Sequence, residues 1–207
     1  MDTLYYSPLS CALASHILLE EIGVPYAAQR VDFSKNEQNS PAYLALNPKG
    51  RVPALKTDRG VITETPAILA YLAARAPQKH LAAIDDPFAF AQAQAFAAYL
   101  CATVHVAHAH RPRGSRWADD VAAQEAMKRK VPVNMAACFE IIETKYFKGP
   151  WACGETYGFV DPYLFTIAGW LEGDGVDIAR FPRVADHYRR VSERPATQRT
   201  IAAHTDG

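Results

Sequence analysis

Every strand-like segment of this chain falls in its first third, in an order that few folds accept. Leu4-Tyr5-Tyr6 is a short aromatic run stopped by Ser7-Pro8. From Cys11 to Ile22 the run CALASHILLEEI carries apolar residues at helical spacing, and Gly23 stands where a left-handed C-terminal cap belongs. A second strand is expected within Tyr26–Phe33. Ser40-Pro41 reads as an N-cap followed by a first-turn proline, opening a short helix that ends near Asn47-Pro48. Val52–Lys56 and Val61–Thr63 flank the turn-rich Thr57-Asp58-Arg59-Gly60 and predict a β-hairpin. Thr65-Pro66 then repeats the cap-and-proline device before the helix AILAYLAAR. The order β-α-β-α-β-β-α is complete by Ala76.

Beyond that point the pattern changes. Residues 78–87 read as a linker, and the apolar periodicity then predicts helices over 88–110, 120–146, 159–172 and 183–193, with a short piece after Pro195. The expected organisation is an α/β domain over 1–77 and an all-helical domain over 88–207. Apolar residues at 49% against 21% charged are the balance of a folded globular chain. Twenty-two Lys and Arg offset 22 Asp and Glu, so no electrostatic footprint for nucleic acid is present. Pro87–His110 carries no acidic or basic residue except histidine, but Gln92, Gln94 and three histidines interrupt it, so a helix in a soluble bundle is expected rather than a membrane span. The N-terminus lacks the basic and apolar regions of a signal peptide. Cys11, Cys101, Cys138 and Cys153 form no CxxC pair, which argues against a disulfide framework or zinc site and for a reducing, cytoplasmic setting.

Three elements of the first domain carry chemistry. Cys11 follows a strand and a tight turn and stands in the first turn of a helix, where unpaired N–H groups and the dipole stabilise a thiolate. A depressed thiol pKa is expected there; the alternative is a small buried core residue. Its neighbour Ser10 can instead donate a hydrogen bond to a bound thiolate. Val52-Pro53 opens a strand, where proline removes a ladder donor. The plain reading is an edge-strand proline; beside a thiol-binding turn, a cis bond at Pro53 would instead turn the Val52 backbone outward, free to pair with an extended peptide. At Glu64-Thr65-Pro66, the hydroxyl and helix N–H groups suit a carboxylate. Together these describe a site for a small peptide thiol.

The stretches YYSPLSCALASHILLEEIGVPY, NPKGRVPAL and ETPAILAYLA resemble the N-terminal domain of the cytosolic glutathione S-transferases, and GFVDPYLFTIAGWLE resembles the helix characteristic of their second domain. The similarity spans the chain, and SPLSCALASHI is similar to the bacterial beta class. It implies a thioredoxin-like α/β domain followed by an all-α helical bundle, glutathione as co-substrate, no metal, and a homodimer. It also implies residue roles. Cys11 or Ser10 meets the glutathione sulfur and Val52 before Pro53 pairs with the cysteinyl backbone. Glu64 and Thr65 hold the γ-glutamyl end, Lys35 the glycyl carboxylate, and Tyr6 and His105 line the electrophile pocket. The beta-class lysine after that histidine is Val106 here, and its asparagine falls on or near Ala98. The implied activity is conjugation of glutathione to small electrophiles, as in detoxification, or glutathione-dependent disulfide exchange through Cys11. A non-catalytic glutathione binder of the same fold is the alternative. A thioredoxin-like peroxidase lacks a resolving cysteine near Cys11 in sequence.

His105 and His108 share a helix face, but His110 lies about 200° round from His108, so the three do not converge on a metal. Arg111, Arg113 and Arg116 read as a solvated helix end or as a cationic rim for an anionic co-substrate. Asp161 is expected to cap the helix that carries Trp170 and to serve folding. The family has Ser or Thr where this chain has Gly158, which leaves half of that capping box missing.

Overall fold

In the computed structural model, which describes residues 1–205, strand β1 (Asp2–Tyr6) is central, because it pairs on both edges. It runs parallel to β2 (Tyr26–Arg30) and antiparallel to β3 (Ala54–Thr57), which pairs antiparallel with β4 (Gly60–Thr63). The sheet order is β2-β1-β3-β4. Thr57 ties the hairpin turn, donating from its hydroxyl to Gly60 O at 2.9 Å and accepting from Arg59 N at 3.1 Å. Helix α1 (Ala12–Ile22) connects β1 to β2 and ends at Gly23, whose φ of 75° is the left-handed cap the sequence predicts. Ser40 caps α2 (Pro41–Leu46) by accepting from Tyr43 N at 3.2 Å.

Helix α3 (Thr65–Arg75) starts one residue earlier than expected. Its N-cap is Glu64, and Thr65 is its first helical residue. No strand occurs after β4 among the described residues; Trp151 and Gly154 form only an isolated bridge.

The expected helix 88–110 is two helices, α4 (Pro87–Tyr99) and α5 (His105–Ala109), joined by a π-helical turn over Leu100–Val104. Such turns carry no residue-type signature and concentrate at functional sites. The expected helix 120–146 is α6 (Val121–Ile141) followed by a second π turn, Ile142–Tyr146. Helices α7 (Asp161–Ala168), α8 (Pro182–Ser192) and α9 (Pro195–Thr205) complete the bundle, α9 running longer than the short piece expected.

Helix α1 explains why the two halves hold together. Nine of its eleven residues are buried, because one side covers the sheet while Leu13 and Ile17 pack with Phe165 of α7 and Val191 of α8. One continuous apolar core runs from Leu4, Leu55 and Ile68 through Phe96 and Leu100 to Phe139 and Leu164. Helix α7 ends at Ala168, short of the expected 172, so Trp170 lies beyond it; Asp161, fully buried, holds its start, accepting from Gly158 N at 2.6 Å and Ala152 N at 2.8 Å and pairing with His187 at 2.8 Å. A Cβ on Gly158 would stand 3.0 Å from Leu81 O, which already accepts from Phe159 N at 2.9 Å. A side chain at 158 would thus need the Leu81 carbonyl to give by a few tenths of an ångström. Among the described residues no helix is long and apolar enough to cross a membrane, and no cluster of three or more His, Cys, Asp or Glu is placed to hold a metal.

Candidate functional site

A cleft of about 880 Å³ separates the sheet half from the helical half. Its near wall begins at the turn before α1. Leu9 holds a left-handed φ of 53°, and its backbone is gripped from the helical half: its N–H donates to His204 Nδ1 at 3.1 Å and its C=O accepts from Trp170 Nε1 at 3.3 Å. Ser10 donates its hydroxyl to Ser7 O at 2.7 Å and accepts from Ala12 N at 3.3 Å. Its proton is thus committed to the turn, which argues against the expected donation to a bound sulfur.

Cys11 occupies the N-cap position of α1 and lines the cleft, as the sequence places it. The expected depressed pKa is overturned. Burial pushes the thiol up to about 11, against the Thr65 hydroxyl and the Arg113 charge, which act to lower it. In the free protein the group is a neutral thiol, donating to Val52 O at 3.4 Å. Desolvation outweighs the helix dipole here, because Cys11 is only 9% exposed.

The Val52–Pro53 peptide is cis, as expected. The preceding Arg51 carbonyl is fixed by Tyr43 Oη at 2.8 Å and Asn47 Nδ2 at 2.6 Å. Val52 N–H meets no acceptor among the described residues, so its donor is open to a ligand. Across the wall, Glu64 is held at a φ of 75°, costly for a residue with a side chain, and Lys49 reaches it at 2.5 Å while donating to Thr63 Oγ1 at 2.7 Å. Thr65, buried, presents the first free N–H groups of α3 beside it.

Two expected site residues lie outside the cleft. Lys35 is on the surface, its side chain 72% exposed and paired with Asp32 at 3.3 Å; on the sheet half it is Lys49 and Arg51 that line the cleft. Tyr6 faces the opposite side of the sheet, because strand side chains alternate, and stacks on His204 at 4.6 Å between ring centroids.

On the far wall, His105 begins α5 and packs edge-on to Trp170 at 5.0 Å. Burial first, then the Arg113, His108, Arg51 and Arg116 charges, pull its pKa down to about 4, so it is neutral near pH 7. Val106 lines the cleft where the beta class has lysine, and Ala98 is exposed outside it. The sequence missed Cys101. It lies in the π turn, half-buried, and lines the cleft with Tyr163. Cys138 is buried and Cys153 exposed; all four cysteines are free. Arg113, Arg116 and Trp117 complete this wall, while Arg111 turns away to Asp174 at 3.8 Å, which also holds His108 at 2.8 Å.

Residues 1–74 match the family model "Glutathione S-transferase, N-terminal domain", and residues 96–195 match "Glutathione S-transferase, C-terminal domain". The chain is 30% identical over 202 residues to glutathione S-transferase GstA of Escherichia coli O157:H7, covering 97% of each. Among solved structures it resembles a glutathione transferase homologue from Sulfitobacter with bound glutathione, at 44% identity and a TM-score of 0.92, covering 100% of this chain and 97% of that one. It also resembles the beta-class glutathione S-transferase of Sphingomonas chungbukensis, at 27% identity and a TM-score of 0.85 over 98% of each chain. A thioredoxin-like sheet with an open Val52 donor and an α3 start facing one cleft, the helical bundle behind it, and these matches over nearly the whole length have one reading: the chain belongs to the glutathione S-transferase family of enzymes.

Proposed function

We propose that the chain adds the glutathione thiolate to small electrophiles. The observation that carries this is one wall on which the open Val52 N–H, the Thr65 end of α3 and the Cys11 thiol face the same cleft. In this reading Val52 pairs with the cysteinyl N–H and C=O, and Thr65 with the α3 amides takes the γ-glutamyl carboxylate. Glu64 meets the γ-glutamyl ammonium. Lys49 and Arg51, which line the cleft as Lys35 does not, take the glycyl carboxylate. The neutral Cys11 donates its S–H to the glutathione sulfur and thereby stabilises the thiolate. The experiment is turnover of glutathione with 1-chloro-2,4-dinitrobenzene, alongside calorimetry of glutathione binding. Saturable turnover supports the reading; tight binding with no turnover would mean a glutathione carrier.

Disulfide exchange is a second reading, favoured by one observation: Cys11 and Cys101 line the same cleft. A thiol held near 11 is a poor nucleophile at neutral pH, so conjugation is placed first. The domain boundary within 78–87, the cytoplasmic setting and a role in disposing of reactive electrophiles belong to the same proposal, the setting supported by the four free thiols. So does a homodimer. Phe88 of α4 is 72% exposed with exposed alanines on the same helix, an apolar face suited to a partner copy. Light scattering is expected to return twice the 22.8 kDa chain mass.

A further inference from the structure

The charges of the cleft do not balance. Lys49, Arg51, Arg113 and Arg116 line it against one carboxylate, Glu64, and Lys49 already holds that carboxylate. Among the described residues no carboxylate lies within ion-pair distance of the Arg51, Arg113 or Arg116 guanidinium. Elsewhere the chain, neutral overall, pairs its arginines across domains, as in Arg194 with Glu21 and Arg199 with Glu20. Like charges are gathered at this cleft without compensation, and Arg113 is half-buried as well. Such an arrangement costs stability unless an anion occupies it.

Glutathione does not account for all of it. In the reading given above, its carboxylates go to the α3 start and to the Lys49 and Arg51 edge, both on the sheet half. Arg113 and Arg116 follow α5, on the helical half, beside Trp117 and near the ring pair His105 and Trp170. Flat rings supply a wall for a planar, conjugated body, and guanidinium forks supply bidentate contacts for a carboxylate, sulfonate or phosphate. The neutral His105 ring adds no further cation to this wall.

We propose that the second substrate is a planar electrophile bearing an anionic group, and that Arg113 and Arg116 select it. This rests on the transferase reading of the site. In the test reaction the glutathione sulfur forms a bond to the ring carbon, the carbon–chlorine bond breaks, chloride leaves with the electron pair, and the thiol proton passes to solvent.

The experiment compares 4-chloro-3,5-dinitrobenzoate with its methyl ester, each kcat/KM divided by the uncatalysed rate with glutathione. The expected result favours the benzoate by about tenfold or more. The double variant Arg113→Gln/Arg116→Gln is expected to cut the benzoate-to-ester ratio by at least tenfold, Arg113→Lys to keep part of it, and 1 M salt to compress it. An ester used as well as the benzoate, or a ratio the double variant leaves unaltered, would overturn the proposal while the transferase reading stands. If neither compound is turned over, that reading fails and the anion site is read by calorimetry with 3,5-dinitrobenzoate. Binding lost in the double variant then sustains the site, and absent or unchanged binding overturns it.

Discussion

Leu9, two residues before the cleft cysteine, donates its backbone N–H to Nδ1 of His204, 195 positions later in the chain, at 3.1 Å. That bond fixes the tautomer. His204 Nδ1 must accept, so the neutral ring carries its proton on Nε2, which faces His16 Nδ1 at 2.9 Å and donates to it. With Trp170 holding the Leu9 carbonyl at 3.3 Å, the helical bundle clamps the turn that positions Cys11. Burial first, then His16, lowers the His204 pKa from 6.5 to about 4.

Acid should therefore loosen the molecule. A histidine whose folded pKa is depressed is protonated more readily in the unfolded chain, so its contribution is present above 6.5 and is lost as pH falls toward 4. The loss over that window is about 2 kcal/mol, allowing for partial solvent access. His204→Asn keeps an acceptor for Leu9 but cannot be protonated, so its stability should fall less steeply between pH 7 and pH 4.5. Urea midpoints at the two pH values check this; parallel slopes for both proteins would refute it.

Glutathione affinity should depend on α3 more than on the thiol. Thr65 is buried beside helix amides that have no partner. A carboxylate there gains charge-assisted bonds of roughly 1.5–3 kcal/mol each. Thr65→Ala is expected to raise the glutathione Kd about tenfold or more by calorimetry. Cys11→Ala should change it by less. The reverse order would reassign the two roles.

Cys11 should behave as a protonated thiol until strongly alkaline pH. With its pKa near 11, iodoacetamide labelling of Cys11 in the free protein should accelerate about tenfold per pH unit between 7 and 9. Peptide mass mapping assigns the label to Cys11 rather than to the exposed Cys153. A rate already level at pH 7 would show a stabilised thiolate and would raise disulfide exchange above conjugation.

The element order was readable because proline and glycine punctuate it: Ser40-Pro41 and Gly23 act as cap, first-turn proline and C-cap, and Thr65-Pro66 marks the start of α3 to within one residue. The near wall of the cleft followed, since Cys11, Val52 and Thr65 are fixed by those same starts and stops. The far wall was harder. A π turn at Leu100–Val104 has no residue-type signature, yet it brings Cys101 into the cleft. Tyr6 was misread because a one-residue shift along β1 changes the face, and Lys35 because a loop residue has no periodicity to place it. The thiol pKa failed for a different reason: a sequence displays the helix dipole, but the desolvation that overrides it comes from tertiary packing.

Gly158 offers the sharpest test of packing against local rule. Restoring the family's hydroxyl by Gly158→Ser would ordinarily add about 1 kcal/mol as a helix N-cap. Here the new Cβ would lie 3.0 Å from Leu81 O. That carbonyl cannot retreat without loosening its bond from Phe159 N, which ties the segment before α7 to the connection between α3 and α4. The carboxylate half of the capping pair is already made, Gly158 N donating to Asp161 at 2.6 Å, so little is left for the hydroxyl to add. Gly158→Ser is accordingly expected to lower stability by about 1 kcal/mol rather than raise it. Chemical denaturation gives the sign directly: a stabilised variant would mean the Leu81 strand of backbone yields, and that the glycine is there for no steric reason.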